Sequence, residues 1–242
     1  MHYNILFNGC SWTYGSELEG LNKDKEHQRT HRFSHLVAEN LGMTYDNISY
    51  GGISNDWIVE KTIEWFNAGN TCDIAIIQFT SASRTIFYDD GDNNKEYSFF
   101  TAFLSPDGVK VYPEHISLKC RLYYKTFYSN MLGEQNLYKN IFLLENYFTS
   151  NNIKFVFITM DRNHNHNSKS NWKNFCNTED IKNIRDIIGV KNNHGLDYLR
   201  NENYCKDLTK RNIFLAGAHP SEIGHQKIAD YIITEIKNVS FI

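Results

Sequence analysis

A chain of 242 residues, 41% of them hydrophobic, is long enough for one large domain with a substantial buried core. Lys and Arg number 25 against 28 Asp and Glu, a formal charge of −3, so no global field draws the chain to nucleic acid or anionic membrane, and neither partner is expected. No stretch reaches the roughly 18 apolar residues of a membrane span, and the start, MHYNILFNGCSW, lacks a basic segment leading into an apolar one of signal length, so a cytoplasmic location is expected.

Tyr3 to Phe7 is a short apolar run followed at once by Asn8, Gly9, Cys10 and Ser11, which predicts a buried first strand ending in a tight turn. From His31 to Leu41 the residues Phe33, Leu36, Val37 and Leu41 recur at helical spacing, with Gly42 as the stop. That helix returns the chain for a second strand, Tyr45 to Ser49. Gly51 and Gly52 break it, and Ser54 caps a helix carrying Trp57, Ile58, Ile63 and Phe66. Asp73 to Phe79 (DIAIIQF) is an almost wholly apolar third strand, as in a parallel sheet covered on both faces. The β-α-β-α-β order forces parallel crossovers. The expected fold class is therefore α/β, a three-layer α/β/α sandwich with a mostly parallel, flavodoxin-like sheet, and residues 1–242 are expected to form one domain.

Between Ser83 and Gly133 the pattern turns irregular, with an acidic, Asn-rich stretch (YDDGDNNKEY) and aromatic-rich segments (YSFFTAF, RLYYKTFY), which suggests an insertion or lid at about residues 85–132. Aromatic runs such as Phe99-Phe100 and Tyr123-Tyr124 are expected to pack within the core or the insertion, with a sugar-binding cleft as the alternative. Helical spacing resumes over Glu134 to Phe148, Lys154 to Met160 (KFVFITM) predicts a fourth strand with Asp161 just beyond it, and helices are expected over Ile181 to Ile188 and from Ser221 to about Lys237. The five cysteines (Cys10, Cys72, Cys120, Cys176, Cys205) are scattered and lack a CxxC pair, which reads as free thiols. His164, His166, Cys176, His194 and Cys205 include good zinc ligand types, but their spacing matches no closed site, so a polar loop and no metal are expected.

Ligands of open parallel sheets bind beyond the carboxyl ends of the strands. Those positions here hold Gly9-Cys10-Ser11, Gly51-Gly52, Thr80-Ser81 and Asp161, joined near the C-terminus by His219. The set resembles the SGNH hydrolase family, also called GDSL esterases, whose members place a nucleophilic serine directly after the first strand. Gly9-Cys10-Ser11-Trp12 is similar to the family's Gly-Asp-Ser start, with Cys10 in place of Asp. Gly52-Ile53-Ser54-Asn55 is similar to its glycine block after strand two. His219-Pro220-Ser221-Glu222-Ile223-Gly224-His225 resembles its His-Pro block leading into the last helix. The resemblance implies that Ser11 is the nucleophile, that His219 is its base, and that the backbone N–H groups of Ser11 and Gly52 hold the oxyanion, with no cofactor.

The chain departs from that pattern at two positions. Ala216 stands where the family carries the aspartate that orients the histidine, which leaves a Ser-His dyad or a relocated acid, for which Asp161 is the candidate. Ala82 stands where the family has an oxyanion-hole asparagine, a task open to the Thr80 hydroxyl or the Arg84 guanidinium. His225 is expected in a structural or surface role. The expected activity is hydrolysis of a carboxylic ester through an acyl-enzyme, with a small ester or an acylated glycan as substrate and O-acetyl removal favoured over long-chain lipid. The alternatives are a degenerate SGNH-fold binding protein and a flavodoxin-like domain whose Cys10 to Ser16 segment cradles a phosphate.

Overall fold

β1 (Asn4–Gly9), β2 (Thr44–Asn47), β3 (Ile74–Phe79), β4 (Lys154–Thr159) and β5 (Lys182–Asn183) form one sheet in the order β2-β1-β3-β4-β5, and every pairing is parallel. The computed structural model describes residues 4–18, 24–86, 114–160, 181–187, 215–216 and 219–238. β3 is central and all six of its residues are buried, as its apolar run requires when both faces are covered. α3 (Phe33–Leu41) packs with α8 (Glu222–Asn238), α4 (Asn55–Asn67) packs with α6 (Asn130–Ser150), and helices thus lie on both sides of the sheet. This is the expected α/β class.

Aromatic contacts knit the layers. Phe7 meets Phe33 and Tyr45 edge-on at 6.1 and 5.9 Å, and Phe157 meets Phe79 at 5.3 Å and Phe148 at 6.1 Å. Burying one such side chain contributes about 1.5–3 kcal/mol. At the open end of the sheet, Asn8 donates from Nδ2 to Ile58 O and Thr62 Oγ1, both at 2.9 Å, and so fastens α4 to the end of β1.

Several boundaries differ from the sequence reading. The helix expected from His31 to Leu41 is α3, which begins at Phe33, and a helix not expected, α2 (Lys25–His31), precedes it across Arg32 in extended conformation. α2 carries no apolar stripe to betray it. Its start is held by Asp24, whose carboxylate accepts from His27 N at 2.9 Å. α6 begins at Asn130, ahead of the expected Glu134, because the Ser129 hydroxyl caps Leu132 N at 3.1 Å. The segment expected as a helix from Ile181 opens instead as β5, with Lys182 and Asn183 beside Ile158 and Thr159, before the short α7 (Ile184–Ile187). Ile181, Ile184 and Ile187 recur every third residue, which imitates a helical stripe. Within the expected insertion lies α5 (Glu114–Thr126), where Tyr123 and Tyr124 pack edge-on at 5.2 Å. Phe99-Phe100, Asp161, His164, His166, Cys176, His194 and Cys205 lie outside the described residues.

The chain closes with β6 (Leu215–Ala216) and β7 (His219–Pro220), an antiparallel pair that sets Ala216 opposite His219 and leads into α8. Among the described residues, no helix is long and apolar enough to cross a membrane.

Candidate active site

The end of β1 is shaped for a tight turn. Cys10 is the N-cap of α1 (Ser11–Tyr14), its carbonyl accepting from Thr13 N and Tyr14 N at 3.0 Å, and Gly15 ends the helix at φ 84°. Ser11 therefore opens a helix directly after the strand and is 8% exposed. A Cβ on Gly9 would stand 2.3 Å from Thr13 Oγ1 and 2.8 Å from Gln78 Cβ, so only glycine lets β1 run this close to β3 and α1. Gln78, fully buried at the end of β3, accepts at Oε1 from Cys10 N (3.2 Å), Cys10 Sγ (3.2 Å) and Thr13 Oγ1 (3.0 Å). Cys10, which stands in the aspartate's place, is itself fully buried and takes the Ser11 hydroxyl in a long contact of 3.9 Å to Sγ.

β7 runs beside α1, with Cα atoms within 8 Å, so the element that carries His219 adjoins the one that carries Ser11. The carboxylate that meets the ring belongs to Glu17, whose Oε1 is 3.1 Å from His219 Nδ1. The distance is that of an ion pair, but the alignment falls short of a hydrogen bond, and Nδ1 is buried with no hydrogen-bond partner among the described residues. Glu17 sits in the turn after α1 at φ 72°. Leu18, 5% exposed, anchors that turn, and buried Gln28 of α2 donates to Gly15 O at 3.0 Å. His225 is buried and structural: its Nδ1 accepts from Phe33 N at 3.2 Å and its ring stacks on Phe33 at 5.7 Å. Burial, with His219 and Arg32 nearby, pushes its pKa down to about 3, so it stays neutral.

Beyond β2 the chain continues alongside β1, with Ile48 N donating to Phe7 O at 3.0 Å and Tyr50 N to Gly9 O at 3.2 Å. This delivers the glycine pair to Ser11. A Cβ on Gly51 would lie 3.9 Å from Ser11 Cβ, and Gly52 follows at φ 79°. Thr80 is fully buried and donates from Oγ1 to Met160 Sδ at 3.0 Å. Asn55 spends its amide on the Thr80 backbone, donating to its O at 3.2 Å and accepting from its N at 2.8 Å. The Arg84 guanidinium donates from Nη1 to Ile53 O at 3.2 Å, while its Nε is buried without a partner among the described residues. Ala82 presents its carbonyl to α6, where a Cβ on Gly133 would meet it at 2.7 Å. At the rim, Tyr50 is 60% exposed and lies between Tyr14 at 6.3 Å and Trp57 at 6.2 Å.

Gln78 and Glu17 were not singled out by the sequence. A lone Gln inside DIAIIQF is a usable signal, since a polar group buried in an apolar strand must find partners. Nothing in the sequence marks Glu17. Among the described residues, one His/carboxylate group has metal-ligand proximity: His27, His31 and Glu222, with ligand atoms within 4.8 Å of one another. Within it His27 Nε2 lies 2.7 Å from Glu222 Oε1, a hydrogen-bonding contact that ties α2 to α8. Cys10, Cys72 and Cys120 are free thiols, and burial pushes the Cys72 pKa up to about 12, which leaves it unreactive.

No family model matches the chain, and no curated protein matches it in sequence. Among solved structures, an acetyl xylan esterase (Est2A) from the rumen bacterium Butyrivibrio proteoclasticus is similar, with a TM-score of 0.52 and 13% identity over 100% of this chain and 65% of that one. The chain thus spans slightly under two thirds of that enzyme's length. A G-D-S-L family protein from Desulfitobacterium hafniense DCB-2 gives a TM-score of 0.49 and 9% identity over 96% of this chain and 99% of that one. The psychrotrophic esterase EstA from Pseudoalteromonas sp. gives 0.45 and 12% over 97% of each. The chain has the α/β fold of the SGNH, or GDSL-type, hydrolases.

Proposed function

We propose that the protein is a serine esterase that cleaves a carboxylic ester through an acyl-enzyme, with Ser11 as nucleophile and His219 as base. The observation that carries this reading is the junction of α1 and β7, which places the elements bearing those two residues side by side at the carboxyl end of β1. Ser11 Oγ attacks the acyl carbon as its proton passes to the imidazole, which then protonates the leaving alcohol. Water repeats the sequence to release the acid. The backbone N–H groups of Ser11 and of Gly52 receive the oxyanion, and Arg84, whose Nε lacks a partner beside the same turn, is the candidate third donor. Thr80 is the weaker candidate because its hydroxyl is committed to Met160. No cofactor takes part in this scheme.

An O-acetylated glycan is the proposed substrate class. The fold shared with an acetyl xylan esterase supports it, as does exposed Tyr50 between Tyr14 and Trp57, an aromatic surface suited to a sugar ring. The test is labelling with a fluorophosphonate alongside turnover of p-nitrophenyl acetate. Wild type is expected to take one label, and Ser11→Ala to lose both label and turnover with its melting temperature nearly unchanged. His219→Ala is expected to lose at least about a hundredfold in rate. Ser11→Ala activity within about tenfold of wild type would rule out the nucleophile.

A further inference from the structure

We infer that Glu17 is the positioning acid of this site, the carboxylate that replaces the one missing at Ala216 and holds the His219 ring through Nδ1. This rests on the reading of Ser11 and His219 as nucleophile and base. An imidazole that accepts the serine proton at Nε2 needs an acceptor at Nδ1 to fix its tautomer and steady the cation. Among the described residues His219 Nδ1 is buried with no hydrogen-bond partner, an arrangement that costs about 1–3 kcal/mol when left unfilled. Glu17 Oε1, at 3.1 Å, is the acidic group at hand. Hydrogen bonds of catalytic groups are often poorly aligned without substrate and tighten when it binds, so the misalignment fits a resting site.

The backbone supports the same assignment. Glu17 and Asn152 are the two non-glycine residues with left-handed φ among the described residues, a conformation that costs a side chain about 1–2 kcal/mol. Such strain survives where the surroundings impose it. Here Ser16 N donates to Ser11 O at 2.9 Å, Leu18 N donates to Gly15 O at 3.3 Å, and Gln28 holds Gly15 from α2. α1 with its closing turn therefore carries both the proposed nucleophile and the acid, and β7, which carries the base, runs beside α1. In the reaction the serine proton moves to Nε2 and on to the alcohol, Nδ1 keeps its own proton, and Glu17 remains a carboxylate throughout. Among the described residues, His225 of α8 also lies near His219, and it is neutral and adds no charge.

The experiment compares Glu17→Gln, Glu17→Asp and Glu17→Gly in the full chain, reading p-nitrophenyl acetate kinetics, the rate of fluorophosphonate labelling at Ser11, and melting temperature. Glu17→Gln is expected to lose about 10²- to 10⁴-fold in kcat with little change in KM, and to label proportionately more slowly. Glu17→Asp recovers part of the rate. Glu17→Gly accepts the left-handed φ without strain, so it melts no lower than wild type yet is as slow as Glu17→Gln. A merely structural Glu17 gives the reverse, a fully active glycine variant. Glu17→Gln or Glu17→Gly within about threefold of wild type, with Ser11→Ala inactive, would overturn the acid while leaving the esterase reading intact. A wild type that neither labels nor hydrolyses the ester overturns both.

Discussion

Gln78 shows how much of the placement of Ser11, the proposed nucleophile, rests on a fully buried neighbour. Its Oε1 collects the Cys10 N–H, the Cys10 thiol and the Thr13 hydroxyl, and its Nε2 donates to Phe79 O at 2.8 Å, so one buried amide ties β3 to the turn that carries Ser11. Gln78→Leu keeps the volume and strands a buried backbone N–H and a hydroxyl. The expected cost is about 1–3 kcal/mol in urea unfolding, with a fall in kcat as the Ser11 turn loosens. A loss below about 0.5 kcal/mol would show that water or a shifted turn satisfies those donors as well. At this scale the sequence was partly legible. Ser11 and His219 stand in short blocks whose residue order is itself informative, whereas Gln78 was passed over inside DIAIIQF, read there only as an apolar strand. Glu17 was illegible because its place beside His219 depends on a left-handed backbone turn and on the return of the chain at β7.

The junction of β1, α1 and β3 is an element-scale device, and Gly9 is its closest approach. Gly9→Ala is expected to destabilise the protein by about 1–3 kcal/mol through overpacking. Adding Thr13→Ala removes the 2.3 Å clash but not the 2.8 Å approach to Gln78 Cβ, so the double variant should recover only part of the loss. Full recovery in thermal unfolding would place the whole conflict on Thr13. The same elements show why the fold could be read. β1, β3 and β4 are near-continuous apolar runs, a pattern with few other solutions in an α/β chain. α2 (KEHQRTH) was missed because it works through polar contacts, Gln28 to Gly15 and His27 to Glu222, which leave no periodic stripe. β5 was mistaken for helix because only its pairing with β4 distinguishes two residues of strand from the start of a helical turn.

Across the whole molecule, the contact between α3 and α8 holds a buried imidazole, and this should govern stability in mild acid. His225 is fully buried and neutral, and its pKa is pushed from 6.5 down to about 3 by burial first, then by His219 and Arg32. Above the unfolded value of 6.5 neither state binds the proton, so the full contribution to stability is present. Between 6.5 and about 3 the unfolded chain binds a proton that the fold refuses, and stability falls as pH falls, by up to about 1.4 kcal/mol per pH unit. Glu26, whose pKa is lowered by its hydrogen bond to Arg29, acts in the same direction only below its unfolded value of 4.5, so of these two groups the histidine alone acts between pH 6.5 and 4.5. His225→Asn retains an acceptor near the position of Nδ1 for Phe33 N–H and removes the titration. Its lost ring contact with Phe33 should make it less stable than wild type at neutral pH, and its stability should depend less steeply on pH across that window, so that the two curves converge towards acid. Parallel curves would mean that α8 admits a proton to His225 without unfolding, which would in turn put a second positive charge beside His219, the proposed base.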